Sequence, residues 1–191
     1  MQQLKVKAII KSVKRIFSLI FIISLIAFPF YWYFFGPAGG NKEIEIFIVP
    51  KNQKDFNLLQ KLEEKNYIKK NEVLKYYLNT FVFFADVKSG GYKLNHNMWA
   101  LDIFKKLNGR PDLVWVSYSS CLRKEQVGEI LADALGWNGN KVEKWNSVYT
   151  NLKQEYFEGV YYPDTYLIPV DENGEQLAKR LINRFNEKFT H

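Results

Sequence analysis

Residues 16–35 read IFSLIFIISLIAFPFYWYFF, 20 positions without a charged side chain. At about 1.5 Å of helical rise per residue, about 20 apolar residues cross the hydrocarbon core of a bilayer, so this stretch predicts one transmembrane helix. Lys5, Lys7, Lys11, Lys14 and Arg15 precede it with no acid among them, whereas only Lys42 follows closely. The positive-inside rule makes residues 1–15 a cytoplasmic basic tail and puts everything after residue 36 on the far side of the membrane. Tyr31, Trp32 and Tyr33 fall at the outer end, where amphipathic rings form an aromatic belt. A cleaved signal peptide is the competing reading. Its apolar region is about 7–15 residues long and closes on small side chains, whereas here bulky aromatics run up to Gly36.

The tail also accounts for the charge. The chain of 191 residues carries a formal +7, and outside the tail 22 basic residues face 20 acidic ones. With the excess assigned to membrane topology, no nucleic-acid footprint is left, and no basic stripe interleaved with aromatics supports one. Cys121 is the single cysteine, which excludes an intrachain disulfide and reads as a small buried or half-buried apolar residue. His96 and His191 are the only histidines, so no metal-ligand spacing exists and neither metal nor cofactor is expected. His96 reads as a loop residue before a helix. A Cys121/His96 nucleophilic pair would require the two to meet in space, and packing is the simpler role for that cysteine. Gly90-Gly91 precedes a strand and lacks the lysine or third glycine of a phosphate loop.

Outward from the span, residues 36–42 (GPAGGNK) form a linker. A first module is expected over residues 43–110. Its strand covers residues 43–49, helices start at the candidate caps Asp55 and Asn71, and a strand at 90–94 pairs with 44–49 to give a small β-α-α-β unit. A helix at 98–107 follows and stops at Asn108-Gly109-Arg110-Pro111. A second module is expected over 111–191. It opens with a β-branched and aromatic strand at 113–118 and an amphipathic helix at 123–135 closed by Gly136. Helical spacing returns at 141–157 and, most regularly, at 174–189, on either side of an aromatic stretch broken by Pro163-Asp164.

That stretch holds the one carboxylate in an unusual setting, Glu158-Gly159-Val160-Tyr161-Tyr162-Pro163-Asp164-Thr165-Tyr166. A glutamate among aromatic rings loses hydration, which disfavours its charged form and keeps a proton available for general acid catalysis. The plainer alternative makes Glu158 a helix end with Gly159 as its C′ residue and Pro163-Asp164 an ordinary turn. An acid at a helix C-terminus opposes the macrodipole, which hints at another constraint.

The segment 158–166 resembles the E-G-(aromatic-rich)-P-D-T-Y signature of the YceG-like endolytic murein transglycosylases. The order around it is similar too: a basic tail, one span, a LysM-like module ending in a G-x-Y strand, then a strand and an R-K-E-Q-(aliphatic)-x-E-I-L helix, here residues 123–131, with Leu135-Gly136-Trp137 beyond. The resemblance implies an α+β chain: one transmembrane helix, a LysM-like β-α-α-β module and part of an α/β catalytic domain. The family's A-S-I-(aliphatic)-E-K-E-T and N-R-L…D-P-T segments are not among these 191 residues, and Ser119-Ser120-Cys121 stands where the family usually has P-E-G.

By carry-over, Glu158 is the catalytic glutamate, and the implied reaction is nonhydrolytic cleavage of the MurNAc–GlcNAc β-1,4 bond. Glu158 protonates the leaving oxygen, then takes a proton from the sugar's own C6 hydroxyl as that attacks C1, leaving a 1,6-anhydro end. Asp164 and Thr165 then fix the turn, while Tyr161, Tyr162 and Tyr166 divide between sugar contact and core packing. The implied partners are peptidoglycan glycan strands and cell-wall synthases, with the chain single-pass in the bacterial cytoplasmic membrane, N-terminus inside. Two readings of other classes stand beside this one: a noncatalytic membrane-anchored peptidoglycan-binding or scaffold protein, and a membrane-tethered interaction domain unrelated to glycan.

Overall fold

The computed structural model describes residues 2–54, 56–70, 72–80, 87–153 and 158–189. The expected helix caps Asp55 and Asn71 lie outside them. The described chain divides into two units. One holds helix α1 (Gln2–Phe35), α2 (Leu58–Glu64), α3 (Glu72–Thr80) and most of α4 (Ala100–Leu107); the other holds every strand and the later helices.

In the first unit, the window Val13–Phe35 of α1 has mean hydropathy 2.0 with none of it buried, long and apolar enough to cross a membrane. Its last turn is capped by a side chain from far along the sequence. Lys69 Nζ donates to the carbonyls of Trp32 (3.2 Å) and Tyr33 (3.3 Å) and lies 4.5 Å from the centre of the Trp32 ring. A cation is favoured there because the closing carbonyls of a helix carry partial negative charge. Tyr31 stacks on Trp99 and Phe35 meets Tyr77 edge-on, at centroid distances of 5.4 and 5.5 Å. The expected linker therefore begins fastened, with Gly36 buried and its N–H on the Trp32 carbonyl. Leu62, Tyr67, Ile68, Leu74, Ile103 and Phe104 are buried. His96 lies between a strand and α4, as read from the sequence, with Nδ1 3.0 Å from the Asn66 carbonyl and its ring stacked on Tyr67.

The second unit is built on one sheet of β1 (Glu45–Val49), β2 (Gly90–Leu94), β3 (Leu113–Ser117) and β4 (Thr165–Pro169), in that order and antiparallel throughout. The pairing expected between 44–49 and 90–94 is observed, with Phe47 opposite Tyr92, as is the β-α-α-β element order. Alternation puts Phe47, Val49, Tyr92, Leu94, Val116, Tyr166 and Ile168 on the buried face.

The expectation of an α/β arrangement after residue 111 is corrected. β3 and β4 are antiparallel neighbours, Leu113 opposite Pro169 and Ser117 opposite Thr165, so this part is α+β as well. A single crossover helix returns the chain to the end where its strand began and makes the next strand parallel. Here the connection folds through α5 (Lys124–Leu135), α6 (Gly139–Lys144) and a π-helical turn (Trp145–Tyr149), and β4 enters from the opposite end. The helix expected over 141–157 is thus a short α-helix running into a π turn, and residues 154–157 lie outside the described residues.

The spacing that predicted α5 works as read. Val127, Leu131 and Leu135 are buried, each burial contributing about 1.5–3 kcal/mol. Gly136 closes the helix at φ 71°, donating its N–H to Ala132 O. Trp145 is fully buried in this core, which also holds Leu131, Ile168, and Leu177 and Leu181 of α7 (Gly174–Phe189). Cys121 is a second correction. It is exposed, in the turn between β3 and α5, where its backbone takes φ 65°.

Candidate active site

Glu158 is exposed and stands at the N-terminus of α5. Its Oε2 accepts a hydrogen bond from the backbone N–H of Lys124, the first residue of that helix, at 3.2 Å. This N–H has no partner within the helix, so a carboxylate from 34 positions along the chain acts as a cap. The adjoining donor is satisfied locally, Arg123 N–H donating to Gln126 Oε1 at 2.9 Å. The desolvation expected from the neighbouring aromatics is therefore not what the structure shows. Of the tyrosines after Glu158, Tyr161 and Tyr166 are buried and Tyr162 is half-buried.

Tyr161 and Tyr166 are each 8% exposed and belong to the core. Tyr161 lies 5.7 Å from Trp145, and Tyr166 stacks on Tyr118 at 5.5 Å while its hydroxyl donates to the Tyr162 carbonyl. Burial drives the Tyr166 phenol above its ordinary value. Tyr162 is half-buried, with Phe189 edge-on at 6.0 Å and Lys188 Nζ 6.0 Å from its ring centre. Gly159 takes φ 75°, a left-handed conformation that residues with a Cβ adopt at a cost.

Asp164 and Thr165 hold the end of this loop. Asp164 Oδ1 accepts from Thr165 N–H at 2.8 Å, and Oδ2 accepts from Arg184 Nε and Nη2 at 3.1 and 2.9 Å. The Thr165 N–H first, and the Arg184 guanidinium second, hold the Asp164 carboxyl below its ordinary value. Thr165 itself is exposed at the start of β4. Of the six site residues read from the sequence, Glu158, Tyr162 and Thr165 thus present surface, Asp164 is the tie to α7, and Tyr161 and Tyr166 anchor the loop.

Two features were not legible beforehand. One is the clamp around the α5 N-terminus. Trp145 Nε1 donates to the Lys124 carbonyl at 2.8 Å, and Lys124 Nζ donates to Asn151 Oδ1 at 2.7 Å. The other is Glu172, after β4. Its side chain is 7% exposed, with Oε1 2.8 Å from Arg180 Nη2. Burial raises its carboxyl above the ordinary value, outweighing the lowering by Arg180. Asp171-Glu172-Asn173-Gly174 reads in sequence as an ordinary polar turn, and nothing local marks the burial.

The model of the YceG-like family matches residues 47–191, and the chain belongs to that family. Among solved structures, a crystal structure of a yceG-like protein from Listeria monocytogenes is similar at 16% identity and a TM-score of 0.38, covering 78% of this chain. This chain spans 56% of the length of that one. No curated protein matches. The exposed Cys121 has φ 65°, a conformation that glycine adopts without strain.

Proposed function

We propose that this chain is a membrane-anchored endolytic peptidoglycan transglycosylase in which Glu158 is the catalytic acid and then the base. The observation that carries the reading is membership of the YceG-like family over residues 47–191, with the family's E-G…P-D-T-Y segment carrying an exposed glutamate. A polymer is cut within its length only by a group that a strand can lie across, and Glu158 meets that requirement.

Glu158 protonates the glycosidic oxygen as the C1–O bond breaks and oxocarbenium character develops. The ionised carboxylate next removes the proton of the C6 hydroxyl as its oxygen bonds to C1, and Glu158 is restored in protonated form. The nucleophile belongs to the substrate, so a second carboxylate of the kind used by hydrolytic glycosidases has no task here. The strand itself supplies the desolvation that the free site lacks, because a sugar over Glu158 replaces its water and strengthens interactions with the carboxylate. Tyr162, half-buried, and Thr165, exposed, contact the strand. Tyr161, Asp164 and Tyr166 keep the loop in place.

In this reading α1 is a single-pass anchor in the bacterial cytoplasmic membrane with its basic tail inside. The β-α-α-β segment is the LysM-like part that binds glycan, and newly made strands beside cell-wall synthases are the substrate. The test is mass spectrometry of purified glycan strands incubated with the full chain in detergent. New 1,6-anhydro ends are expected with the wild type and not with Glu158→Gln. A folded wild-type protein that binds strands without producing such ends would leave a noncatalytic binding protein.

A further inference from the structure

We infer that the backbone N–H of Lys124 is a positioning group for Glu158, stabilising the carboxylate that forms when the glutamate gives up its proton, and that Trp145 holds donor and acceptor in register. The inference rests on the proposed lytic reaction and adds a group to it. In the proposed reaction Glu158 reacts in its protonated form and gains charge as the proton leaves, so a donor fixed on its oxygen binds the transition state better than the reactant acid. Such differential interactions speed a step, whereas uniform ones do not.

The geometry is preorganised from both sides. Trp145 Nε1 donates to the Lys124 carbonyl at 2.8 Å, tying the first turn of α5 to the core. The same indole lies 5.7 Å from the Tyr161 ring, three residues beyond Glu158. One fully buried side chain therefore braces the helix that donates and the loop that accepts. Gly128, the next turn along α5, makes this fit possible, because a Cβ there would come within 2.5 Å of Trp145 Cδ1. The oriented amides of a 12-residue helix add partial positive charge at the same end. The Lys124 ammonium donates to Asn151 Oδ1, and the main-chain N–H of Lys124 donates to Glu158.

A main-chain donor is removed by proline, and this position suits one. Lys124 is the first helical residue, where proline is well tolerated because that N–H has no partner within the helix. Arg123 already has φ −75° and ψ 157°, the extended conformation that a following proline imposes. Lys124→Pro and Lys124→Ala both remove the ammonium, and only the first removes the N–H. The comparison between them isolates the donor.

The full chain in detergent is assayed for 1,6-anhydro ends with both variants. Lys124→Pro is expected to turn over about 10- to 100-fold more slowly than Lys124→Ala, with the strand concentration at half-maximal rate the same in the two. In the 15N–1H spectrum of the full chain, the Lys124 amide is expected to shift on Glu158→Ala and to stay near its wild-type position on Glu158→Gln, which keeps an acceptor. Equal turnover of the two folded Lys124 variants overturns the inference and leaves the reaction standing. An amide that ignores Glu158→Ala overturns the contact itself. A wild-type chain that makes no anhydro ends overturns the proposed reaction, and the catalytic role of this donor with it.

Discussion

Glu158 and Glu172 occupy opposite kinds of place within one unit. The first is exposed on a loop and accepts from a helix amide, while the second has its side chain 7% exposed beside Arg180 in the turn before α7. On burial alone, Glu172 has the raised carboxyl expected of a general acid. On access alone, Glu158 has what a polymeric substrate needs. A perturbed carboxyl does not by itself mark a site, and the Glu172–Arg180 pair is the kind of tie that perturbs a carboxyl for structural reasons.

The largest expected effect breaks the Glu158 side of this contrast. Trp145→Ala removes the fully buried indole that braces both α5 and the Glu158 loop, and should cost about 3–5 kcal/mol in denaturant unfolding of the full chain. Gly128→Ala pushes a methyl group against the same ring and should cost about 1–3 kcal/mol, because the indole is enclosed and cannot yield. A Gly128→Ala protein as stable as wild type would mean that Trp145 is not held where it is described.

The two ends of β4 sharpen the contrast through pH. The Asp164 carboxyl is held below its ordinary 3.8, so its contribution to stability is complete above that value and is lost as pH falls through its lower folded value. The Glu172 carboxyl is raised above 4.5, so its contribution is complete below 4.5 and is lost as pH rises through the folded value. Thermal unfolding between about pH 3 and pH 7 should therefore lose its high-pH decline in Glu172→Gln and its acid-side loss in Asp164→Asn. The smallest effect concerns the cap. Glu158→Ala leaves the Lys124 N–H without its partner and should cost about 0.5–2 kcal/mol, with Glu158→Gln costing less because an acceptor remains.

Periodicity made most elements legible, since Leu131 and Leu135 on α5, or Leu177 and Leu181 on α7, repeat at helical spacing toward one core. The alternation of β1 and β2 was equally direct, and their pairing followed from it. What stayed hidden depends on contacts distant in sequence. The antiparallel return of β4 is decided by how the connection after α5 folds back through the π turn, and no local pattern records that. The motif drew attention to Glu158, but its aromatic residues did not reveal its exposure, since Tyr161 and Tyr166 are buried in the core. The cap from α5 spans 34 positions, and Lys69 reaches the end of α1 across 37.

The most direct test sets the two glutamates against each other. Glu158→Gln and Glu172→Gln chains, each folded in detergent, are incubated with purified glycan strands, and 1,6-anhydro ends are counted by mass spectrometry. The account predicts that Glu158→Gln lowers their formation by at least about 100-fold while Glu172→Gln still produces them. Anhydro ends that persist with Glu158→Gln and vanish with Glu172→Gln would contradict it and move the acid to the buried glutamate.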